Sequence, residues 1–317
     1  MLSRVAVSLY LLGGRLERTE HLARVLRVHA ELWLDRARSP NDRFWPRLME
    51  LMGWAPAGHV SRPQAIELLV GGTAGPSLQA IVGEARSAAQ SVRPSLSIEV
   101  FEQVNALRWR LVEGGRHPGL HGYLRSAELG VQLISGLVDE TMMHDQERDF
   151  LRLGRFVERA AATARLVTRK AAELESAGDE AIEWAAALRC CCSFEAYQAR
   201  FPSPIVPSGV VEFLLCDPVN PRSTRFCAEE ALASVRRIDG EDRHGSAQDL
   251  LAELSSIVGG VEPGSVAAAP DVLAGEVARL RAAIEVSLRS DYFLPGRLAA
   301  PMMGDTFAVQ PQQQQVR

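Results

Sequence analysis

Leu2, Val5, Leu9, Leu12, Leu16, Thr19, Ala23, Leu26, Ala30 and Trp33 follow one another at spacings of three and four residues. That spacing leaves the opening of this chain one economical solution, a continuous helix of about nine turns with one apolar stripe facing a core. A helix of that length gains its stability from packing, so partners of comparable length must follow. They do: amphipathic stretches occupy about 42–53, 77–92, 95–113, 120–142, 146–175, 180–200, 221–238, 246–257 and 271–290. A further helix opens at Ser61, where Ser61 and Gln64 form a capping box around Pro63. The breaks hold Gly-Gly, Pro or Asn-Pro, and period-two alternation is nearly absent, so the fold class is all-α, a multi-helix bundle. The Gly-, Pro- and Ala-rich stretch 259–270 reads as a loose connection, and the Pro- and Gln-rich tail 293–317 reads as a segment that does not order.

Composition narrows the function classes. A net charge of -4 lacks the concentrated Lys and Arg excess that phosphate contacts require, which argues against nucleic acid as a partner. No apolar run approaches the roughly 20 residues of a membrane span. Residues 1–14 pass superficially for a signal peptide, but the helical pattern continues through Glu17 and Arg18 without a cleavage site. Five cysteines, three of them consecutive at Cys190, Cys191 and Cys192, suit neither a disulfide ladder nor a tetrahedral metal site. They read as reduced core residues, and the expected location is cytoplasmic.

The chain also repeats itself. A shift of 141 residues lays Phe150, Leu153, Val157, Ala160, Ala164 and Val167 on Leu9, Leu12, Leu16, Thr19, Ala23 and Leu26. The same shift superposes Gly154 on Gly13, Glu158 on Glu17, Arg159 on Arg18 and Arg165 on Arg24, a coincidence that shared amphipathicity does not explain. At a shift of 145, Glu212-Phe213-Leu214-Leu215 falls on Glu67-Leu68-Leu69-Val70, each followed by a turn and a helix. In the later copy Asn220 is expected to cap a helix beginning at Pro221. Two related halves, 1–145 and 146–292, packed about a pseudo-twofold axis, are the expected architecture.

These strings resemble the Alpha-E family of bacterial helical domains, named for a shared Glu-Arg motif. The resemblance rests on Met1-Leu2-Ser3-Arg4 with Leu16-Glu17-Arg18, and on Phe150-Leu151-Arg152-Leu153-Gly154-Arg155 with Val157-Glu158-Arg159. Glu195-Ala196-Tyr197 and Val211-Glu212-Phe213-Leu214-Leu215 through Asp217-Pro218 extend it over roughly 1–240. It implies company: an ATP-grasp-type ligase and a transglutaminase-like peptidase, in systems that make or modify peptides by amide formation. Any ATP would belong to that partner, and no cofactor is expected here. The first half departs from the family pattern at Leu11, at Gly14 with Arg15 one place late, and at Pro94.

The candidate ligand or interface residues are Glu17, Arg18, Arg24, Arg155, Glu158, Arg159 and Arg165. On the first helix Tyr10, Gly13, Glu17 and Arg24 share one flank, with Glu20 and His21 a turn further along. A helix-interior Gly costs about 1 kcal/mol relative to Ala, so its presence in both copies predicts a closely passing element. In one reading the Glu and Arg residues pair to fix how the halves meet; partly buried, the loss of one partner would cost roughly 3–5 kcal/mol. In the other they line a cleft for an anionic or peptidic ligand, with Arg holding carboxylate or phosphate and Glu accepting protons. The energetics favour the first. His117 and His121 have zinc spacing but enclose Pro118 and Gly119, so no metal site is expected. His144-Asp145 reads as a helix cap, and no nucleophile with a base can be picked out. Three functions remain: an accessory or binding subunit of the ligase system, an enzyme with a Glu/Arg-lined cleft, and an oligomeric scaffold dimerising through an apolar face.

Overall fold

The computed structural model describes residues 3–35, 44–52, 54, 60–72, 75, 77–114, 119–174, 180–201, 204–241 and 243–293. All its regular structure is helical among these residues, with no strand. The first half runs α1 (Ser3–Asp35), α2 (Phe44–Leu51), α3 (Arg62–Ile66), α4 (Leu78–Ser91), α5 (Ile98–Arg108) and α6 (Gly119–Thr141). The second runs α7 (Gln146–Leu174), α8 (Glu180–Cys190), α9 (Phe194–Arg200), α10 (Pro207–Val211), α11 (Thr224–Asp239), α12 (Ser246–Gly259), α13 (Pro263–Ala268) and α14 (Pro270–Tyr292). No helix among the described residues is long and apolar enough to cross a membrane. The Pro- and Gln-rich tail beyond Phe293, and His117 of the zinc-like spacing, lie outside the described residues.

The two sets differ in helix number among the described residues, six against eight, but part of their packing is alike. α1 packs against α4 and α6, with α5 between those two, while α7 packs against α11 and α14, with α12 between those two. A turn of π-helix follows α3 at Glu67–Gly71 and α10 at Glu212–Cys216, and a third, Trp109–Gly114, follows α5. The two sets join along α1 and α7, the most extensive helix contact among the described residues. Both helices are therefore buried on more than the expected stripe. In α1 the stripe residues Leu9, Leu12, Leu16, Ala23 and Leu26 are buried, and so are Tyr10, Glu17, Glu20 and Arg24 on another flank.

Three expectations change. The stretch 180–200 is two helices, because the chain breaks at Cys191–Ser193, where Cys192 takes a left-handed φ of 50° and its side chain is exposed rather than buried. Cys190 and Cys191 are core residues as expected. The stretch 259–270 contains a helix, α13, started by Pro263. Asn220 does not cap α11: Ser223 does, its Oγ accepting from Phe226 N at 3.0 Å. Asn220 instead accepts from Arg222 N and donates to Phe213 O (3.1 Å), a carbonyl inside the π-turn.

Candidate functional site

The residues that carried the sequence repeat meet at one place, the crossing of α1 and α7. A Cβ on Gly13 would lie 2.0 Å from Leu151 O, and one on Gly154 would lie 1.9 Å from Tyr10 O. Each glycine thus lets the other helix's backbone occupy the space of its missing side chain, as the repeated glycine predicts. Residue numbers rise together along the contact, from Tyr10 and Gly154 to Arg18 and Glu158, so the helices run in the same direction.

One turn beyond the glycines the two Glu-Arg motifs exchange partners. Arg159 donates to Glu17 from Nε (2.8 Å to Oε1) and from Nη2 (2.6 Å to Oε2). Arg18 donates to Glu158 from Nε (2.8 Å to Oε1) and from Nη2 (3.1 Å to Oε2). These are reciprocal two-pronged pairs, the geometry in which a guanidinium binds carboxylate best. Burial alone would push both carboxyls up. Instead Arg159 and Arg222 hold Glu17, and Arg18 and Arg281 hold Glu158, below the usual carboxylate range. Neither carboxylate is a spare base.

The other candidates gather nearby. Arg155 Nε lies 3.7 Å from Glu17 Oε2. Arg24 binds neither Glu17 nor Glu158; it pairs with Glu20 and lies 3.5 Å from Glu128 Oε2 on α6. Arg165 acts electrostatically on His21 and Glu158. Asp145 caps α7, accepting from Glu147 N at 3.0 Å. Among the described residues no group of His, Cys, Asp or Glu is arranged to hold a metal ion.

Three participants escaped the sequence reading. Arg222, in the turn before α11, donates to Glu17 Oε1 (3.0 Å) and Glu20 Oε1 (2.8 Å). Its turn is tied to α7, where Thr163 donates to Arg222 O and Arg159 Nη1 to Pro221 O. Arg281 on α14 donates to Glu158 Oε2 at 3.0 Å, and Glu128 receives Arg27 Nε at 2.6 Å. The last two left a readable signal. Glu128 stands in the apolar run Leu124, Ala127, Val131, and Arg281 in Val277, Leu280, Ile284, where a charge needs a buried partner. Arg222 left none.

His21 sits half-buried beside this network, pushed down to about 4 by burial and by Arg165, Arg24 and Arg222, against the pull of Glu17. Between an unfolded value of 6.5 and about 4, the unfolded chain holds a proton there that the folded chain does not. Stability therefore falls as pH drops through that window and gains no further loss from His21 below it. His21→Gln is expected to flatten the decline of melting temperature between about pH 6.5 and 5. Unchanged slopes in wild type and variant would remove His21 as the source.

The Alpha-E family model, described as a predicted alpha-helical domain with a conserved ER motif, matches residues 1–293. Uncharacterized protein Rv2567 of Mycobacterium tuberculosis is 29% identical over 227 residues, which span 68% of this chain and 26% of that protein. Uncharacterized protein Mb2597 of Mycobacterium bovis is 28% identical over 176 residues, 54% of this chain and 20% of that one. The chain thus spans about a quarter or less of the length of these relatives. No solved structure matches it.

Proposed function

Since this chain belongs to the Alpha-E family, we propose that it is a helical accessory or binding subunit working beside an ATP-grasp-type amide ligase and a transglutaminase-like peptidase. Its setting would be the cytoplasm, in bacterial peptide synthesis or modification, with no turnover of its own. The observation that carries this reading is the reciprocal exchange of Glu17-Arg159 and Arg18-Glu158. Both carboxylates spend their lone pairs inside the protein and stay ionised, so the motif serves as a clamp between helices and supplies no general acid or base. The relatives' greater length supports the reading from another side, since matching segments occur there together with other sequence. The similar packing of α4, α5 and α6 on α1 and of α11, α12 and α14 on α7 supports a further part of it, that residues 1–145 and 146–292 descend from one ancestral unit.

Affinity capture of the tagged full chain from its native host is expected to bring down a ligase of the ATP-grasp type. Captured complexes should form amide bonds with ATP consumption, and the isolated chain should not. Recovery of neither ligase nor peptidase would sink the proposal, as would amide formation by the isolated chain.

A further inference from the structure

Of the eleven large apolar side chains that stand exposed among the described residues, five, Ile98, Trp109, Val112, Leu129 and Leu133, belong to α5, the π-turn after it and α6. The two helices form an antiparallel hairpin. Ser97 Oγ lies 2.7 Å from Thr141 Oγ1, a Cβ on Gly130 would lie 2.6 Å from Leu107 Cδ1, and Tyr123 donates to Leu111 O at 2.8 Å. Leu124, Ala127, Val131, Ile134 and Val138 turn α6 inward, which leaves Leu129 and Leu133, 48% and 49% exposed, one turn apart on the outward side. Ile98 and Trp109, at 58% and 55%, lie on the outward side of α5. Single exposed apolar residues are ordinary; a face that gathers five is the mark of an interface. With α6 of 23 residues about 35 Å long and two helices about 20 Å across, the face is on the order of 700 Å². A standard dimer buries about 800 Å² on each partner.

Charge identifies what covers it. Exposed Glu99 and Glu102 at the start of α5 stand beside Asp139 and Glu140 at the end of α6, while Arg110 and Arg125 lie toward the other end of the hairpin. Asp139 is answered within the chain by Arg148 and Arg152. Glu140 occupies the last turn of α6, where the helix dipole disfavours an acid, and its neighbour across the hairpin is another acid, Glu99. At the basic end Arg110 Nη2 reaches over Gly130, 3.3 Å from the position of its absent Cβ. Arg125, 50% exposed, has Glu128 at 3.5 Å, a carboxylate it shares with Arg27 and Arg24. A face with an acidic end, an apolar middle and a basic end complements its own reverse.

We propose that the chain forms a two-fold dimer in which two α5–α6 hairpins pack face to face, α6 antiparallel to the partner's α6. A two-fold axis across the middle of the face sets Leu129 against the partner's Leu133 and Ile98 against the partner's Trp109. It also brings Arg125 within a turn of the partner's Glu140. One axis satisfies both helices: with Leu107 beside Gly130, the midpoint of Ile98 and Trp109 and the midpoint of Leu129 and Leu133 fall within one turn of each other. An axis along the helices would lay acid on acid, so polarity selects the antiparallel arrangement. The dimer does not rest on a ligase partner.

Sedimentation equilibrium of the full chain from about 1 to 100 μM is the test, with circular dichroism as the check on folding. Wild type is expected at twice the mass of the chain. Leu133→Glu, which symmetry places twice in the interface, should weaken association about a hundredfold or more without loss of helix. Glu140→Arg should weaken it about tenfold, and adding Arg125→Glu in the same chain should restore it, because the exchanged ends still complement each other. Val219→Glu, exposed in the second half, should change nothing. If Leu133→Glu fails to fold, Glu140→Arg and its rescue decide alone. A monomer throughout the range overturns the proposal, as does a dimer that Leu133→Glu and Glu140→Arg leave undiminished, or one that the second exchange does not restore.

Discussion

Replacing Gly154 with alanine is expected to cost roughly 2–4 kcal/mol of folding stability, although alanine is the better helix former by about 1 kcal/mol. The new methyl group would lie 1.9 Å from Tyr10 O and 2.8 Å from Tyr10 C. These are backbone atoms in mid-helix, and no side-chain rotation relieves the clash. The helices must separate, and separation stretches both guanidinium-carboxylate pairs one turn away. Gly13→Ala, whose methyl would meet Leu151 O at 2.0 Å, should cost a similar amount. The double variant should cost less than the sum, because helices already pushed apart have room for the second methyl. Gly136→Ala provides the opposite sign. Nothing lies within 4 Å of its Cβ position, so the helix propensity should appear unopposed as a gain of up to about 1 kcal/mol. Denaturant titration of the four proteins checks the set, and a neutral Gly154→Ala would mean that the helices do not cross this closely.

Glu17→Gln should be the most damaging conservative change, at about 3–5 kcal/mol. It strands Arg159, at 5% side-chain exposure, and takes from Arg222, at 14%, one of its two carboxylates, leaving it Glu20. Glu158→Gln takes a carboxylate from Arg18 at 23% and Arg281 at 18% exposure; Arg281 keeps Glu285 at 3.4 Å and both can turn further toward solvent, so its cost should be smaller. The ranking, read by chemical denaturation at neutral pH, is the test, and equal or reversed costs would contradict it. Acid provides a second reading. Glu17, Glu20 and Glu158 are all held below the unfolded value of 4.5, so their contribution is complete above it and is lost as pH falls further. Glu17→Gln should remove part of that loss as well.

The helices and the crossing were legible because their signals are local. Apolar spacing marked α1 and α7, and a glycine repeated at one register in both announced a close contact. The Glu-Arg repeat named both ends of the clamp, and pairing between the halves was the reading the energetics favoured. What could not be read was long-range partner choice. Arg24 was a candidate for Glu17 or Glu158, but it lies two turns beyond Glu17 on the same helix and finds Glu20 and Glu128 instead. Arg222 joined the site from a turn whose conformation depends on Asp217 accepting from Val219 N and Asn220 N. In Asn220-Pro221-Arg222-Ser223-Thr224 three residues are of capping type, and the π-turn carbonyl that Asn220 satisfies takes it out of that role. Cys190 to Cys192 looked alike in sequence, and only the break after α8 distinguishes the exposed third from its buried neighbours.

The α1–α7 crossing also sets the order of events at the ribosome. Gly13 and Gly154 meet across 141 residues of chain, so α1 is complete long before its partner helix exists. At roughly 5–20 residues per second that interval is on the order of 10 s. Throughout it, the flank bearing Tyr10, Gly13 and Glu17 has nothing of its own to cover it. A nascent chain in this condition is a natural client for a holdase chaperone. Slowed synthesis between α6 and α7 would lengthen its exposure more than a pause anywhere beyond α7.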